Sequence, residues 1–234
     1  MIVTLAVLFV AYLVRGVAGF GSGLVAIPLL AIEHPLALVV PLVVLLDWLG
    51  SAAQGVGNRE AIAWRELLPL LPFTLAGVGL ALYAFRSVDP AGLDRAFGLF
   101  ILVFAVYQLL PLPALAGSRL WAAPAGLLGG LVGTLFGTGG PFYMIYLTVR
   151  GLDKRALRAS FAAFFLADGA VRLAGFLLVG LLDADALGTL VLWLPAAALG
   201  LFVGGRVHVG IRPVTFRYFI SLLLVFSGYR LLGG

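Results

Sequence analysis

Apolar residues run along this chain in long blocks separated by short polar connections. The blocks fall at 2–32, 36–56, 67–85, 96–112, 120–149, 159–181, 187–205 and 217–232. The connections are Glu33-His34-Pro35, Asn58 to Glu66, Arg86 to Arg95, Leu112 to Arg119, Arg150 to Arg158, Asp183-Ala184-Asp185 and Arg206 to Arg217. A bilayer core of roughly 30 Å requires about 20 apolar residues of helix. Barrel strands would instead alternate in and out over about 10 residues. The pattern therefore predicts an all-α polytopic membrane protein whose helices cross or enter the bilayer.

The pattern repeats. Phe20-Gly21-Ser22-Gly23 matches Phe136-Gly137-Thr138-Gly139, and Asp47 matches Asp168. Leu71-Pro72 with Gly77 matches Leu194-Pro195 with Gly200, Pro90 matches Pro213, and Phe104 and Tyr107 match Phe226 and Tyr229. The offset drifts only from 116 to 123 residues. Ordered matches at nearly one spacing point to two homologous halves, 1–116 and 117–234, of four to five membrane segments each. Internal duplication of this kind is a common way to build a secondary transporter.

Blocks 2–32 and 120–149 stand apart. Each would make a helix of roughly 45 Å, long for one crossing and short for two. Each is interrupted by glycine: Gly16, Gly19, Gly21 and Gly23 in the first, and Gly129, Gly130, Gly133, Gly137, Gly139 and Gly140 before Pro141 in the second. Gly costs about 1 kcal/mol against Ala inside a helix, and Pro is well placed at a helix start. Thr138-Gly139-Gly140-Pro141 reads as a stop, a turn and a new start, and Ser22 has the residue type of a helix N-cap.

Charge then bears on topology. If both blocks cross once, the halves are parallel, and the odd-numbered connections hold nine Lys or Arg against three in the even ones. If both are broken or re-entrant, the halves are inverted. Arg59, Arg65, Arg119, Arg150, Lys154, Arg155, Arg158, Arg206, Arg212 and Arg217 then share one side, opposite Arg86, Arg95 and Arg230. Both arrangements satisfy the positive-inside rule. The inverted repeat is preferred because it accounts for the block length and the glycine breaks.

Composition narrows the function. Only 11% of residues are charged and 63% are hydrophobic, too little charge to cover a water-facing domain. The +5 net charge resides in the connections between helices, so nucleic acid is not an expected partner. Cysteine is absent, which excludes disulfides and thiolate chemistry. No cofactor or metal site is expected. Met1-Ile2-Val3-Thr4 shows no basic cluster, so no secretory signal is expected there.

Non-helical backbone survives at membrane depth only where protein or a wet cavity satisfies it, so paired breaks point to a binding site. A helix that starts within the membrane offers free N–H groups and a positive dipole end, which suits an anion. The candidate substrate-binding residues are Gly21, Ser22 and Gly23, then Gly137, Thr138, Gly139 and Gly140, with Tyr143. Both starts are expected to face one substrate near the midplane. Arg15, Asp47, Asp168 and Arg172 lie inside blocks, away from their ends. A charge at the bilayer centre costs at least about 2.5–3.5 kcal/mol, so these should face the interior and be paired. Asp168 and Arg172 share a helix face, and Asp47 is a candidate partner for Arg15. Arg15 and Arg172 are candidate anion ligands. Asp47 and Asp168, in a dry pocket, are candidate proton carriers. Gln54, Asn58 and Tyr146 are lesser candidates. Trp48, Trp64, Trp121 and Trp193 read mostly as interface residues, and His34 and His208 as solvated loop histidines.

The segments Ala18-Gly19-Phe20-Gly21-Ser22-Gly23-Leu24 with Pro28, Gly129-Gly130 through Phe136-Gly137-Thr138-Gly139-Gly140-Pro141, Arg150-Gly151-Leu152-Asp153-Lys154 and the stretch around Arg206 and His208 carry a resemblance. The chain is similar, over nearly its whole length, to the sulfite exporter TauE/SafE family, also called the TSUP transporters. The resemblance implies transport of sulfite, thiosulfate, small organosulfonates or some carboxylates across a bacterial inner or plasma membrane. A secondary transporter, with an export role, is the leading reading, with protons as a candidate coupling partner. No G-x-x-x-x-G-K-[ST] loop is present to bind ATP. A passive anion channel would share the same helix starts. An intramembrane hydrolase is disfavoured: a G-x-S-G motif would need Gly where Phe20 stands, and neither histidine lies inside a block to serve as base.

Overall fold

The computed structural model describes residues 1–18, 21–54, 59–110, 117–207 and 213–233. Gly19, Phe20, Asn58 and His208, and the side chain of Gln54, lie outside the described residues. The helices are α1 (Ile2–Ala18), α2 (Ser22–Leu30), α3 (Leu36–Gln54), α4 (Trp64–Leu67), α5 (Leu70–Ser87), α6 (Pro90–Leu109), α7 (Ala122–Phe136), α8 (Gly140–Val149), α9 (Lys154–Leu178), α10 (Ala184–Arg206) and α11 (Pro213–Gly233). Short 3₁₀ turns at Arg59–Ala61 and Arg119–Trp121 precede α4 and α7. No strand occurs among the described residues. Among them, six helical segments are long and apolar enough to cross a membrane: Leu36–Ala53, Leu70–Ser87, Pro90–Leu109, Arg119–Phe136, Lys154–Leu178 and Ala184–Arg206. The protein is an all-α polytopic membrane protein.

Local chemistry fixes where the helices begin. Asp89 accepts from the Gly92 amide at 2.8 Å and Pro90 opens α6. Asp153 accepts from the Arg155 and Ala156 amides to start α9, and Asp183 accepts from Ala186 to start α10. Each aspartate satisfies N–H groups that a helix start leaves orphaned. They also hold a negative charge against the positive dipole end.

The helices gather into two compact units that do not follow the sequence halves. Unit one comprises Met1–Leu46, Val88–Pro111 and Leu181–Gly234, hence α1, α2, most of α3, α6, α10 and α11. Unit two comprises Asp47–Ser87 and Leu112–Gly180, hence the end of α3, α4, α5, α7, α8 and α9. In each unit the first helix of one half packs on a helix of the other: α1 on α10, and α7 on α5.

The two crossings use glycine in the same way. A Cβ added at Gly200 would lie 3.0 Å from the Leu13 amide nitrogen and against the Phe9 carbonyl. One added at Gly77 would lie 2.7 Å from the Leu131 nitrogen and against the Leu127 carbonyl. Gly77 and Gly200 are one of the matched pairs in the sequence. Apolar side chains gain nothing from leaving lipid, so close backbone approach is what holds membrane helices together.

Two tryptophans depart from the interface reading. Trp64 and Trp121 are exposed, but Trp193 is 1% exposed inside unit one. Trp48 donates its indole N–H to the Leu166 carbonyl at 3.0 Å. His34 is not a solvated loop histidine. Its Nε2 lies 3.3 Å from Thr4 Oγ1, and its ring meets Trp193 edge-on at 5.9 Å. The short 31–35 turn is drawn in because it closes the return of α2 towards the start of α1.

Gly77→Ala should lower the thermal unfolding midpoint in detergent, at a cost of about 1–3 kcal/mol. Gly79→Ala, in the same helix with nothing within 4 Å of its added carbon, should be neutral or stabilising. A thermal scan of both variants checks the contrast.

Candidate functional site

Both long blocks break where the glycines predict. In unit two, α7 ends at Gly137, which takes φ 66° and ψ 10° and donates its N–H to the Gly133 carbonyl at 3.0 Å. That left-handed conformation is open to glycine at little cost. The chain then reverses. In one straight helix, residues 129 and 139 would stand about 15 Å apart, but a Cβ at Gly139 would strike the Gly129 carbonyl. The Tyr143 ring lies on Gly129, where an added Cβ would sit 2.6 Å from Cζ. The ends of the segment meet: the Gly117 amide donates to the Val149 carbonyl at 3.2 Å, and Arg150 donates to the Gly117 carbonyl at 2.6 Å. Block 120–149 is thus a helical hairpin whose two ends meet.

Unit one does the same. Gly21 takes φ 96° and ψ 3° at the start of α2. The Thr4–His34 contact brings the end of the segment back to its beginning. Gly21, not Ser22, is the N-cap of α2, and it makes no side-chain cap bond. Ser22 is the first helical residue, 1% exposed, and its hydroxyl accepts from Arg15 at 3.1 Å. The residue expected to cap the helix is turned to the arginine instead. Gly23 follows, buried within α2.

The charged residues of unit two are tightly grouped. The Arg172 Nε donates to Asp168 Oδ1 at 3.2 Å, and its NH2 forms an ion pair with Oδ2. NH1 donates to the Gly133 carbonyl at 3.1 Å and NH2 to that of Gly129 at 3.4 Å. The Tyr143 hydroxyl donates to Asp168 at 3.3 Å. The guanidinium therefore lies on the carbonyl end of α7, where the helix dipole is negative. A Cβ at Gly133 would fall on it, so glycine makes its room. Arg172 and Asp168 neutralise each other, and the planar fork is spent on the break.

What remains at the restart is different. Thr138 is 4% exposed and its hydroxyl has no partner among the described residues. Gly139, the N-cap of α8, carries no side chain to cap the helix, and Gly140 stands in its first turn beside the Phe161 ring. Asp47 also lies in unit two, 6% exposed. Its neighbour Trp48 rests on Gly169, where an added Cβ would lie 2.8 Å from the indole Cδ1. Asp47 and Asp168 therefore flank one helix crossing. Arg15 belongs to unit one and Asp47 to unit two.

One cluster was not singled out from the sequence. Glu66, in α4, takes Arg150 Nε at 2.7 Å, Arg119 NH2 at 2.9 Å and the Tyr146 hydroxyl at 3.2 Å. Tyr146, a candidate for lining a cavity, serves this carboxylate. Arg150, and to a lesser degree Arg119, holds Glu66 down to about 2, against the upward push of burial. The cluster joins three connections: Glu66 ends the second, Arg119 the fourth, and Arg150 begins the fifth. A single crossing by block 120–149 would put Arg119 and Arg150 on opposite sides of the membrane. The inverted arrangement would put them together, and that was the available signal.

Residues 4–231 match the model of the family described as "Sulfite exporter TauE/SafE". The chain belongs to the sulfite exporter TauE/SafE family. It is 29% identical over 198 residues to the "Probable inner membrane transporter protein TsaS" of Comamonas testosteroni, covering 81% of each chain. No solved structure matches. This TauE/SafE protein is a membrane transporter and not an enzyme.

Two outcomes follow from the charge geometry. A carboxyl held low when folded contributes stability that is present above about pH 4.5 and lost as pH falls towards about 2. Glu66→Gln should flatten the fall of the unfolding midpoint across that window. Asp168→Ala strands a buried guanidinium and should cost about 3–5 kcal/mol. Asp168→Ala with Arg172→Met should cost less than Asp168→Ala alone, measured by the same thermal scans.

Proposed function

We propose that this TauE/SafE transporter is a secondary carrier of the inner membrane. It moves a small oxyanion such as sulfite, thiosulfate or an organosulfonate by alternating access, with export as the direction. The family's description and the name of the relative support the compartment and the class of cargo. The observation that carries the reading is Thr138: a buried hydroxyl without a partner, at the start of a helix that has no side-chain cap. An unpaired buried hydroxyl is costly. An oxyanion accepts from that hydroxyl and from the first amides of α8 while the helix dipole offsets its charge.

Gly137, Thr138, Gly139 and Gly140 supply the substrate contacts of unit two. Arg172 and Tyr143 hold that break in shape. Gly21, Ser22 and Gly23 with Arg15 are the corresponding element of unit one. In unit two the Asp168–Arg172 pair contributes no net charge, so attraction rests on a dipole of about half a charge. That favours a weak site, as a carrier that must release its cargo requires. The returning hairpins support inverted repeats, because a hairpin plus three crossings reverses the second half. Asp47 and Asp168 are the candidate proton carriers.

Thr138→Val separates function from folding. It should reduce radiolabelled thiosulfate or sulfite flux in proteoliposomes by about tenfold or more, the weight of one hydrogen bond to a charged group. It should leave the unfolding midpoint unchanged or higher, since an unpaired hydroxyl is removed. Thr148→Val, whose hydroxyl is bonded to the Met144 carbonyl, is the exposed control. Undiminished flux in Thr138→Val would sink the anion site. Under an imposed pH gradient, intact flux in both Asp47→Asn and Asp168→Asn would remove protons from the mechanism. Single-channel currents would turn the reading to a channel.

A further inference from the structure

Unit one holds a cavity of about 460 Å³, away from the residues of the break. It is lined by Ala31 and Ile32 from the end of the first hairpin, by Asp94 and Arg95 from the start of α6, and by Tyr229 and Arg230 from the end of α11. Its size is that of a small-molecule site. Among the described residues, neither Arg95 nor Arg230 has an ion-pair partner, although Asp94 lines the same space. Both arginines are exposed and Asp94 is half-buried.

Their position adds weight. With each long block returning to its own side, ten Lys and Arg collect on one face of the membrane. Arg86, Arg95 and Arg230 are the basic residues of the connections and terminus on the other. Basic residues are depleted on that face. Two of the three line one cavity, together with a phenol that can also donate. Paired guanidiniums present planar forks suited to tetrahedral oxyanions.

We infer that the Arg95–Arg230 cavity is a second oxyanion-binding site, on the less basic face of the membrane and separate from the residues of the two breaks. Its ligand is a sulfate- or phosphate-like group, held by the two guanidiniums and the Tyr229 hydroxyl. Asp94 sets an upper limit on affinity by repelling the same anion. The group can belong to a free ion or to a phospholipid headgroup. The face assignment rests on the inverted topology, but the binding itself depends neither on that topology nor on transport.

The test uses the full chain, purified in detergent and in nanodiscs containing phosphatidylglycerol. Radiolabelled inorganic sulfate is measured by equilibrium dialysis, and retained phospholipid by native mass spectrometry. Sulfate affinity should fall about tenfold or more in Arg95→Gln with Arg230→Gln, the weight of a lost charge-assisted bond. It should rise in Asp94→Asn and persist in Thr138→Val, which separates this site from the break. Because Asp94→Asn moves affinity upward, misfolding cannot imitate it. If sulfate does not bind but phosphatidylglycerol is retained and is lost in the double variant, the site stands and its ligand is a headgroup. Sulfate and phospholipid binding both unchanged in the double variant, or neither ligand binding the native protein, overturns the site.

Discussion

Backbone that leaves a helix inside a bilayer has no water to turn to, and this constraint organises the protein. Near the end of α7 the carbonyls of Gly129 and Gly133 also accept from the guanidinium of Arg172. Asp168 neutralises the guanidinium, and Tyr143 holds the aspartate. A break that would be prohibitive in lipid thus becomes a fixed feature. The same residues explain the glycines: Gly133 admits the arginine, Gly129 admits the tyrosine ring, and Gly137 supplies the left-handed turn. The carbonyl side of the break carries the arginine, and past it the buried Thr138 hydroxyl has no partner among the described residues.

The second organising element is close helix contact. α1 lies on α10 and α5 on α7 with backbone touching backbone, so each unit is stitched from both halves of the sequence. Neither half could form its own unit alone, because its first helix finds its partner in the other half. A chain whose halves exchange helices in this way is tied together by close helix contact.

Much of this was legible in the sequence, for definite reasons. Glycine clusters in apolar blocks of unusual length announced the breaks, since few other causes put seven glycines into one such block. Asp168 and Arg172, four apart in a membrane helix, had to pair. Gly77 and Gly200 matched in the sequence, but only the structure shows that they sit at the two close crossings. The sequence was silent where partners are far apart. Glu66 looked like one more loop acid, and only folding brings Arg119 and Arg150 to it. Trp193 sat near a proline in a block end, and burial against His34 depends on where α2 returns. Ser22 had the residue type of a cap, but a buried arginine outcompeted the backbone for its oxygen. Whether the long blocks cross or return was open from charge counting, because both answers obey the same rule. The contact between Gly117 and Val149 shows that the second block folds back on itself.

The Glu66 cluster carries a consequence for assembly. Its acid is separated from Arg119 by 53 residues and from Arg150 by 84. During synthesis the carboxylate must therefore wait at the membrane surface while α5, α6 and the whole α7–α8 hairpin are made. It can do so because it stands outside the apolar span, in the connection before α5. Each end of the hairpin then brings its own arginine, so one residue reports on both insertion events. Both ends of the α7–α8 hairpin are thus fastened to α4 through one carboxylate.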